Sequence, residues 1–400
     1  MNDVKKSLVG KEQNVIIAIN AIKKIMIIFL GPFLATYFIK ISKESMTDLS
    51  IYYIFSYILL GLSSFLVAKI IKNKFKIGMF RIGVILNFIY IMAIIILKEN
   101  IINHLILISI LVGLSSGCYW FSYNLFVINK IKNSERTEYT VRSKLVSSIV
   151  GILCPVVLGS IITITNYELT AIIILVLSLC QVILSFILTP DTEDNLGKFN
   201  LKRTIKHLYK NKQIKYSFLV EFFVGLNVSD GALETVMTIL IFNSFKTNMN
   251  YGLITSIVTI LSMISFKLYG KIYTNKDDKK LIVVSSIIPV LSLLLLFFLR
   301  NNITILIYNF CYVIFANILS LTREIRLFNL SDSDIVNREN QVEFVALREG
   351  ILNLGRILGY SLLLIAGISK SDIMLNIVMV ILTLSIFIMG MNIKKIDKFE

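Results

Sequence analysis

The sequence predicts an all-α membrane protein with twelve transmembrane helices in two pseudo-symmetric six-helix halves. Of its 400 residues, 56% are hydrophobic and 16% are charged, with a mean hydropathy of +0.78. Soluble domains contain about 45–50% apolar and about 25% charged residues. The apolar runs are continuous rather than alternating, which excludes a β-barrel. The composition also excludes disorder, and four cysteines are too few for a disulfide scaffold.

The lengths of the apolar runs predict the spans. A helix needs about 20 mostly apolar residues to cross a hydrocarbon core of roughly 30 Å. Twelve runs meet this requirement: residues 15–40, 49–71, 77–97, 103–128, 143–165, 168–189, 216–243, 250–270, 281–299, 302–322, 344–366 and 373–391.

The placement of Lys and Arg predicts the orientation. With the N-terminus inside, thirty of the 41 lie in cytoplasmic segments and six in external loops, namely Lys40, Lys43, Lys98, Lys246, Arg300 and Lys370. Short cytoplasmic loops of membrane proteins carry such an excess. We therefore expect a multi-pass protein of the cell membrane, plasma or inner, with both termini cytoplasmic. The net charge of +16 suits contact with anionic lipid, and no nucleic-acid module is recognisable.

A polar stretch divides the chain near its middle. Pro190 is expected to end the sixth span, because proline cannot continue a helix. The predicted units are a first half over 1–190, a basic cytoplasmic linker over 191–215 and a second half over 216–400. Within the linker, Leu201–Lys212 is predicted to form a basic helix on the membrane surface.

An internal repeat supports the two halves. Ala68–Lys74 and Gly270–Lys276 lie 202 residues apart and are identical at four of seven positions. Both follow the second helix of their half, and parallel repeats are common among transporters. In this architecture and in these basic turns, the chain resembles the major facilitator superfamily of secondary transporters over essentially its full length. The family's turn usually carries an Asp where this chain has Lys72 and Thr274.

Glycine and proline mark the fifth and eleventh spans. Gly151, Pro155 and Gly159 are similar to the Gly- and Pro-rich fifth helix of the family's drug and solute antiporters, which points to export. Gly355 and Gly359 lie in the eleventh span. Because small residues let helices approach closely, all five are predicted to serve helix packing and gating.

Carboxylates mark the seventh span. Asn227, Asp230 and Glu234 are spaced to share one face of a continuous helix. Two carboxylates one turn apart repel each other when both are ionised, so Asp230 and Glu234 are predicted to couple transport to protons. A static pair neutralised by Lys or Arg is the alternative. Asn227 is expected to face the substrate cavity, and Glu221 is interpreted as an interfacial anchor.

The eleventh span places Glu349, Asn353 and Arg356 on one face. A charged side chain near mid-membrane costs about 2.5–3.5 kcal/mol on insertion scales, so its presence indicates a function. Arg356, with Asn353 and Glu349, is predicted to bind the solute through its planar guanidinium group. The alternative is an internal ion pair with Glu349, Asp230 or Glu234.

Polar and aromatic residues of the first and fourth spans are predicted to form the facing wall of the cavity. They are Asn20, Lys24, Trp120, Tyr123 and Asn124. Lys23 lies beside Lys24 at the same depth. Snorkelling of the lysines to the interface and an aromatic belt are the competing interpretations.

The sequence therefore predicts a secondary active transporter of a small organic solute that works by alternating access, is coupled to protons and exports. Its predicted partners are the solute, protons and membrane lipids, and it is expected to be a monomer without cofactor or metal. Enzyme chemistry is not expected, because no P-loop is present and the cysteines lack metal-ligand spacing. The alternatives are a proton-coupled nutrient symporter and a non-transporting membrane sensor or lipid-handling scaffold.

Overall fold

The computed structural model describes residues 2–42, 45–72, 76–130, 133–189, 199–227, 231–273, 278–331, 336 and 340–396. These residues are almost entirely helical and contain no strand. The α-helices are α1 Asn2–Ile28, α2 Leu34–Ile41, α3 Ser45–Ile71, α4 Lys76–Leu97, α5 Leu105–Lys130, α6 Asn133–Ile164, α7 Tyr167–Ile187, α8 Leu201–Leu208, α9 Lys212–Asn227, α10 Ala232–Phe245, α11 Asn248–Tyr273, α12 Asp278–Leu299, α13 Asn302–Ser331, α14 Gln341–Ser369 and α15 Asp372–Ile393.

The all-helical fold class predicted from the sequence is confirmed. Among the described residues, ten segments are long and apolar enough to cross a membrane. One of them, Ile77–Leu125, is 49 residues long, about twice what one crossing needs, and it holds both α4 and α5. The 26 residues of α11 complete the bundle, packed against α6. Each predicted span falls on one helix, or on two successive helices in the first and seventh spans.

The first span bends at a π-helical turn over Phe29–Phe33. This turn contains Pro32, which has no N–H to donate and whose ring clashes with the preceding turn. The bend leads into α2, where the Thr36 hydroxyl donates to Asn248 Oδ1 of α11 at 2.7 Å. The ring of Phe33 meets Tyr251 of α11 edge-on, with centroids 5.7 Å apart. The bent first span therefore contacts the second half directly.

The seventh span is broken, so the prediction of one continuous helix with a single polar face is wrong. Helix α9 ends at Asn227 and α10 begins at Ala232. Gly231 precedes α10 in an extended conformation, and its carbonyl accepts from the Glu234 N–H at 3.2 Å. Asp230, one of the two predicted proton carriers, lies outside the described residues.

The predicted helix of the linker is present as α8, which stops at Leu208, four residues earlier than predicted. Asn200 caps its start, with the side-chain oxygen accepting from the Arg203 N–H at 3.0 Å. The Thr204 hydroxyl donates to Asn340 Oδ1 at 3.2 Å, which places α8 against the start of α14. Residues 190–198 lie outside the described part of the chain, and the boundaries of the two halves stay a prediction.

Four helices end in a basic residue with left-handed backbone. Among the described residues other than glycine, positive φ occurs at Lys98, Lys246, Arg300 and Lys370. They follow the last residues of α4, α10, α12 and α14. A left-handed residue at this position ends a helix, and a cation there interacts favourably with the terminal carbonyl groups.

Candidate site at the junction of the two halves

Two antiparallel helix pairs join the halves. In each pair the second helix of one half packs against the fifth helix of the other: α3 against α14, and α11 against α6. We call them the α3–α14 seam and the α6–α11 seam. Along the α3–α14 seam, Thr47 lies beside Gly367, Gly61 beside Asn353 and Lys72 beside Glu343.

Arg356 lies in the middle of the α3–α14 seam and is buried, with 6% of its surface exposed. Its Nη1 donates to Asn353 Oδ1 at 2.9 Å, as expected for side chains three residues apart on a helix. The guanidinium carbon lies 4.9 Å from the ring centroid of Tyr57 on α3. This is a cation–π contact between the two halves.

Tyrosines surround this contact and extend it to the seventh span. Tyr360 of α14 stacks on Tyr53 with centroids 4.5 Å apart, and its centroid is 5.7 Å from that of Tyr57. The Tyr360 hydroxyl is 2.7 Å from the hydroxyl of Thr235 on α10. Glu234, the neighbour of Thr235, has an exposed side chain. One cluster therefore joins α3, α14 and the second part of the broken span.

The cluster offers a fixed cation, aromatic faces, an amide and hydroxyl groups. A planar guanidinium group can hold a carboxylate or phosphate with two parallel hydrogen bonds, and tyrosine faces can stack on a ring. A mostly apolar groove of about 420 Å³ lies beside it between α3 and α14, and its lining includes Tyr57 and Asn353 together with the exposed Leu62 and Leu354. Within the described ranges, no three His, Cys, Asp or Glu side chains come together as a metal site requires.

A buried ion pair closes one end of the same seam. Lys72 Nζ, in the turn after α3, is 2.5 Å from Glu343 Oε1 of α14, and the side chains are only 3% and 1% exposed. The N–H of Asn200, just before α8, also donates to Glu343 Oε1, at 2.9 Å. Lys72 therefore pairs with an acidic residue of the eleventh span that our sequence reasoning did not single out.

A second buried charge cluster was also missed. Glu221 of α9 is fully buried, so its interpretation as an interfacial anchor is wrong. Its carboxylate accepts from Arg323 of α13 at 2.6 and 3.2 Å, and Arg348 Nε of α14 lies 3.4 Å away. The Glu349 carboxylate lies 3.8 Å from Arg348 Nη2. Glu349 therefore takes part in this cluster inside the second half.

The α6–α11 seam consists of close backbone contacts. A methyl group built on Gly252 of α11 would lie 2.2 Å from the Pro155 carbonyl oxygen, and one on Gly159 would lie 2.5 Å from the Asn248 carbonyl oxygen. Gly151 faces Thr259 of α11, at 3.2 Å by the same measure. The three residues singled out in the fifth span thus lie where the halves touch.

The predicted glycines of the eleventh span lie within the second half. A methyl group on Gly355 would be 2.0 Å from the Phe222 carbonyl oxygen, and one on Gly359 would be 2.8 Å from that of Leu226. Asn227, at the end of α9, is fully buried, and its Nδ2 donates to the Ser385 hydroxyl of α15 at 2.5 Å. These contacts hold the first part of the broken span against α14 and α15.

The predicted wall of the first half is gathered around α1, α5 and α6. Asn20 Oδ1 accepts from the Tyr119 hydroxyl at 2.7 Å. Trp120 meets Tyr123 edge-on, with centroids 5.9 Å apart. Lys24 is half-buried near Cys154 of α6, and Asn124 is half-buried on α5. The contacts of Asn20, Trp120 and Tyr123 lie within the first half, whereas Arg356 lies at the seam between the halves.

Comparisons with known proteins agree with this architecture. A sequence model described as Major Facilitator Superfamily matches residues 15–360. The Bacillus subtilis (strain 168) protein named "Uncharacterized protein YqgE" is 23% identical over 331 residues, which cover 82% of this chain and 76% of that protein.

Solved transporter structures share the fold. A bacterial homologue of the iron transporter ferroportin, in an inward-facing state, has a TM-score of 0.71 at 12% identity and covers 97% of this chain and 98% of its own. The nucleoside transporter NupG has a TM-score of 0.67 at 13% identity, with 98% and 100% covered. The E. coli fucose:proton symporter FucP has a TM-score of 0.58 at 13% identity, with 97% and 98% covered. At these identities the likeness shows the fold alone.

Proposed function

The chain belongs to the major facilitator superfamily, and from this premise we propose that it exports a small organic solute in exchange for protons. The observation that carries the proposal is the contact of Arg356 with Tyr57 across the α3–α14 seam. Ionisable side chains within membrane spans commonly mark substrate pathways. A solute bound there would touch both halves, so movement of one half against the other would change its access to each side.

Arg356, Asn353 and Tyr57 are the proposed solute-binding residues. The guanidinium group would take an anionic group of the solute, and the Asn353 amide, which lies 2.9 Å from it, would add a hydrogen bond. The stacked rings of Tyr53 and Tyr360 would receive an apolar or aromatic part. This division predicts an organic anion with a flat or apolar body as the best ligand.

Glu234 and Asp230 are the proposed proton carriers. Glu234 has an exposed side chain at the start of α10, next to the residue that contacts Tyr360. Asp230 is four residues earlier in the chain. Because Thr235, the neighbour of Glu234, contacts Tyr360 of the proposed solute site, binding of the solute would change the surroundings of the Glu234 carboxylate.

The direction and the membrane are part of the same proposal. Export is supported by the likeness of Gly151, Pro155 and Gly159 to the fifth helix of antiporters, and the bias of Lys and Arg supports a cell-membrane protein with cytoplasmic termini. Uptake by proton symport is the second candidate, because FucP, which shares the fold, is a fucose:proton symporter. A non-transporting sensor or scaffold would bind a ligand without moving it.

A ligand screen tests the site. The purified full chain in detergent would be heated at pH 6 and pH 8 with organic anions, nucleosides, sugars, amino acids and drugs. A ligand at 100 times its Kd stabilises the folded state by about 2.7 kcal/mol. We expect an organic anion to raise the midpoint, and Arg356→Gln to abolish the rise. Arg300→Gln, which changes an exposed arginine, is the matched control and should retain it.

Flux measurements with that ligand test the direction and the coupling. In everted vesicles with an acidic lumen, an exporter should accumulate the ligand and release luminal protons, and Glu234→Gln or Asp230→Asn should abolish both effects. Proton-driven uptake into right-side-out vesicles would favour the symporter. Binding without flux would contradict transport and favour a sensor. Normal proton release by Asp230→Asn and by Glu234→Gln would contradict the assignment of the carriers.

A further inference from the structure

Lys23 is a buried cation without an acidic partner among the described residues. It lies on α1 and is 4% exposed. Its Nζ donates to Asn87 Oδ1 of α4 at 3.0 Å and lies 5.1 Å from the ring centroid of Tyr119 on α5. An amide oxygen and an aromatic face are therefore its polar surroundings in the described part of the chain.

These surroundings suit a neutral amine as well as an ammonium group. Burying an ammonium group costs several kcal/mol unless an opposite charge and further hydrogen bonds compensate. Lys72 is equally buried, but a carboxylate 2.5 Å away compensates its charge. Lys23 has one neutral acceptor and a ring instead. A buried lysine without a carboxylate beside it can release its proton more readily than one that has such a partner.

Among the side chains that the structure describes, the helices packed around Lys23 present tyrosines rather than carboxylates; Glu135 and Glu138 of α6 lie outside that set. On α5 the titratable neighbour is Tyr119, and on α6 it is Tyr139. From α7, Gln181 donates to the carbonyl of Ile19, and it carries no charge. On α4 the charged side chain that the structure describes is Arg81, which donates to the carbonyl groups of Ser185 and Leu188 near the end of α7. On α1 itself the neighbouring charge is Lys24.

Tyrosine hydroxyl groups lie around the turn of α1 that precedes Lys23. Asn20, one helical turn before Lys23, accepts from the Tyr119 hydroxyl at 2.7 Å. The hydroxyls of Tyr123 and Tyr139 are 3.0 Å apart.

We propose that Lys23 is a proton-binding site of the first half and exchanges its proton with the solution. In the exchange an N–H bond of the ammonium group breaks, the electron pair stays on Nζ, and the proton forms an O–H bond on water or a hydroxyl. The site lies beyond the proposed function, which places the coupling carboxylates in the second half. It gives the transporter a titrating group in its first half as well.

The test is the pH dependence of thermal stability of the purified full chain, from pH 6 to pH 10. If folded Lys23 releases a proton that the unfolded chain retains, stability rises with pH in this range. The expected contribution is about 1–2 °C per pH unit. Lys23→Met should lack this contribution and should be at least as stable as the wild type at pH 6. Lys24→Met, which changes the half-buried neighbour, should retain it.

A second variant gives an independent test. Asn87→Asp places a carboxylate beside Nζ, which should hold the ammonium group in its charged form and also remove the pH-dependent contribution. The proposal would be overturned if the thermal midpoint of Lys23→Met rose with pH as steeply as that of the wild type. It would also be overturned if Lys24→Met lost as much of this pH dependence as Lys23→Met. Because the measurement needs no solute, its failure leaves the Arg356 site untouched. If the pH dependence of the thermal midpoint disappeared in Asp230→Asn but persisted in Lys23→Met, the titrating group would lie in the second half and the proposal would be wrong.

Discussion

The two seams between the halves are equivalent in architecture and opposite in chemistry. Both pair a second helix with a fifth helix in antiparallel orientation. The α6–α11 seam is formed by backbone, with Gly252 against the carbonyl group of Pro155. The α3–α14 seam is formed by side chains, with Arg356 over Tyr57 and Lys72 bonded to Glu343. The α6–α11 seam also has hydroxyl contacts, such as Ser256 Oγ donating to the Ile152 carbonyl oxygen at 2.6 Å. Only the α3–α14 seam adds charged groups among these contacts, and such groups can exchange their partners for solute or water.

The largest expected effect comes from breaking the ion pair of the polar seam. Lys72→Met leaves the Glu343 carboxylate buried without its cation, and a buried pair that loses one partner costs about 3–5 kcal/mol. We expect a matching fall in the thermal midpoint. The double variant Lys72→Glu with Glu343→Lys should recover part of the loss, but not all, because the Asn200 N–H loses its acceptor. Equal stability of Lys72→Met and wild type would show that the pair contributes nothing.

The next effect tests the backbone seam. Gly252→Leu inserts a side chain where a methyl group would already lie 2.2 Å from an oxygen, and overpacking costs about 1–3 kcal/mol or more. Gly61→Ala is the control on the polar seam, where the new methyl group would lie 3.6 Å from Asn353 Cβ. We expect a clear loss of thermal stability for the first variant and little change for the second. Similar losses of thermal stability in both variants would show that the two seams are packed equally tightly.

A smaller effect is expected from the ring beneath Arg356. A cation–π contact contributes about 0.5–2 kcal/mol. Tyr57→Leu should lower the free energy of unfolding by that amount, which appears as a lower thermal midpoint, and should weaken binding of the ligand found in the screen. Tyr57→Phe keeps the ring and should stay close to the wild type in both measurements. If the two variants lose equal affinity, the hydroxyl rather than the ring face is the important group.

The smallest effect concerns the tether of α8 to the polar seam. Thr204→Val removes the hydroxyl that donates to Asn340 while keeping the shape of the side chain. A hydrogen bond of this kind contributes about 0.5–1.5 kcal/mol. We expect a small loss of stability in thermal unfolding. Ser371→Ala, at the start of α15, where the residue makes no side-chain cap, is the control and should show no change.

The spans could be predicted because bilayer thickness fixes their length, so each apolar run reports one crossing. The break at Gly231 had a local signal, an Asp-Gly pair followed by a Glu at the third position of the next helix. The apolar run around it concealed this signal. The hydrogen bond between Arg356 and Asn353 follows from their spacing, but Tyr57 comes from a helix 299 residues earlier in the chain. The ion pairs of Glu221 and Glu343 depend on the rotation of whole helices, which periodicity within one helix does not report.

The left-handed ends of α4, α10, α12 and α14 bear on how the chain is sorted during insertion. Lys98, Lys246, Arg300 and Lys370 are four of the six basic residues that the sequence places outside. Glycine would end the same helices without the backbone strain, and it would leave Lys40 and Lys43 as the remaining outer charges. In the proposed orientation, the outer positive charges are therefore mostly helix terminators, and a glycine-substituted chain would have a larger difference in positive charge between its two sides during membrane insertion.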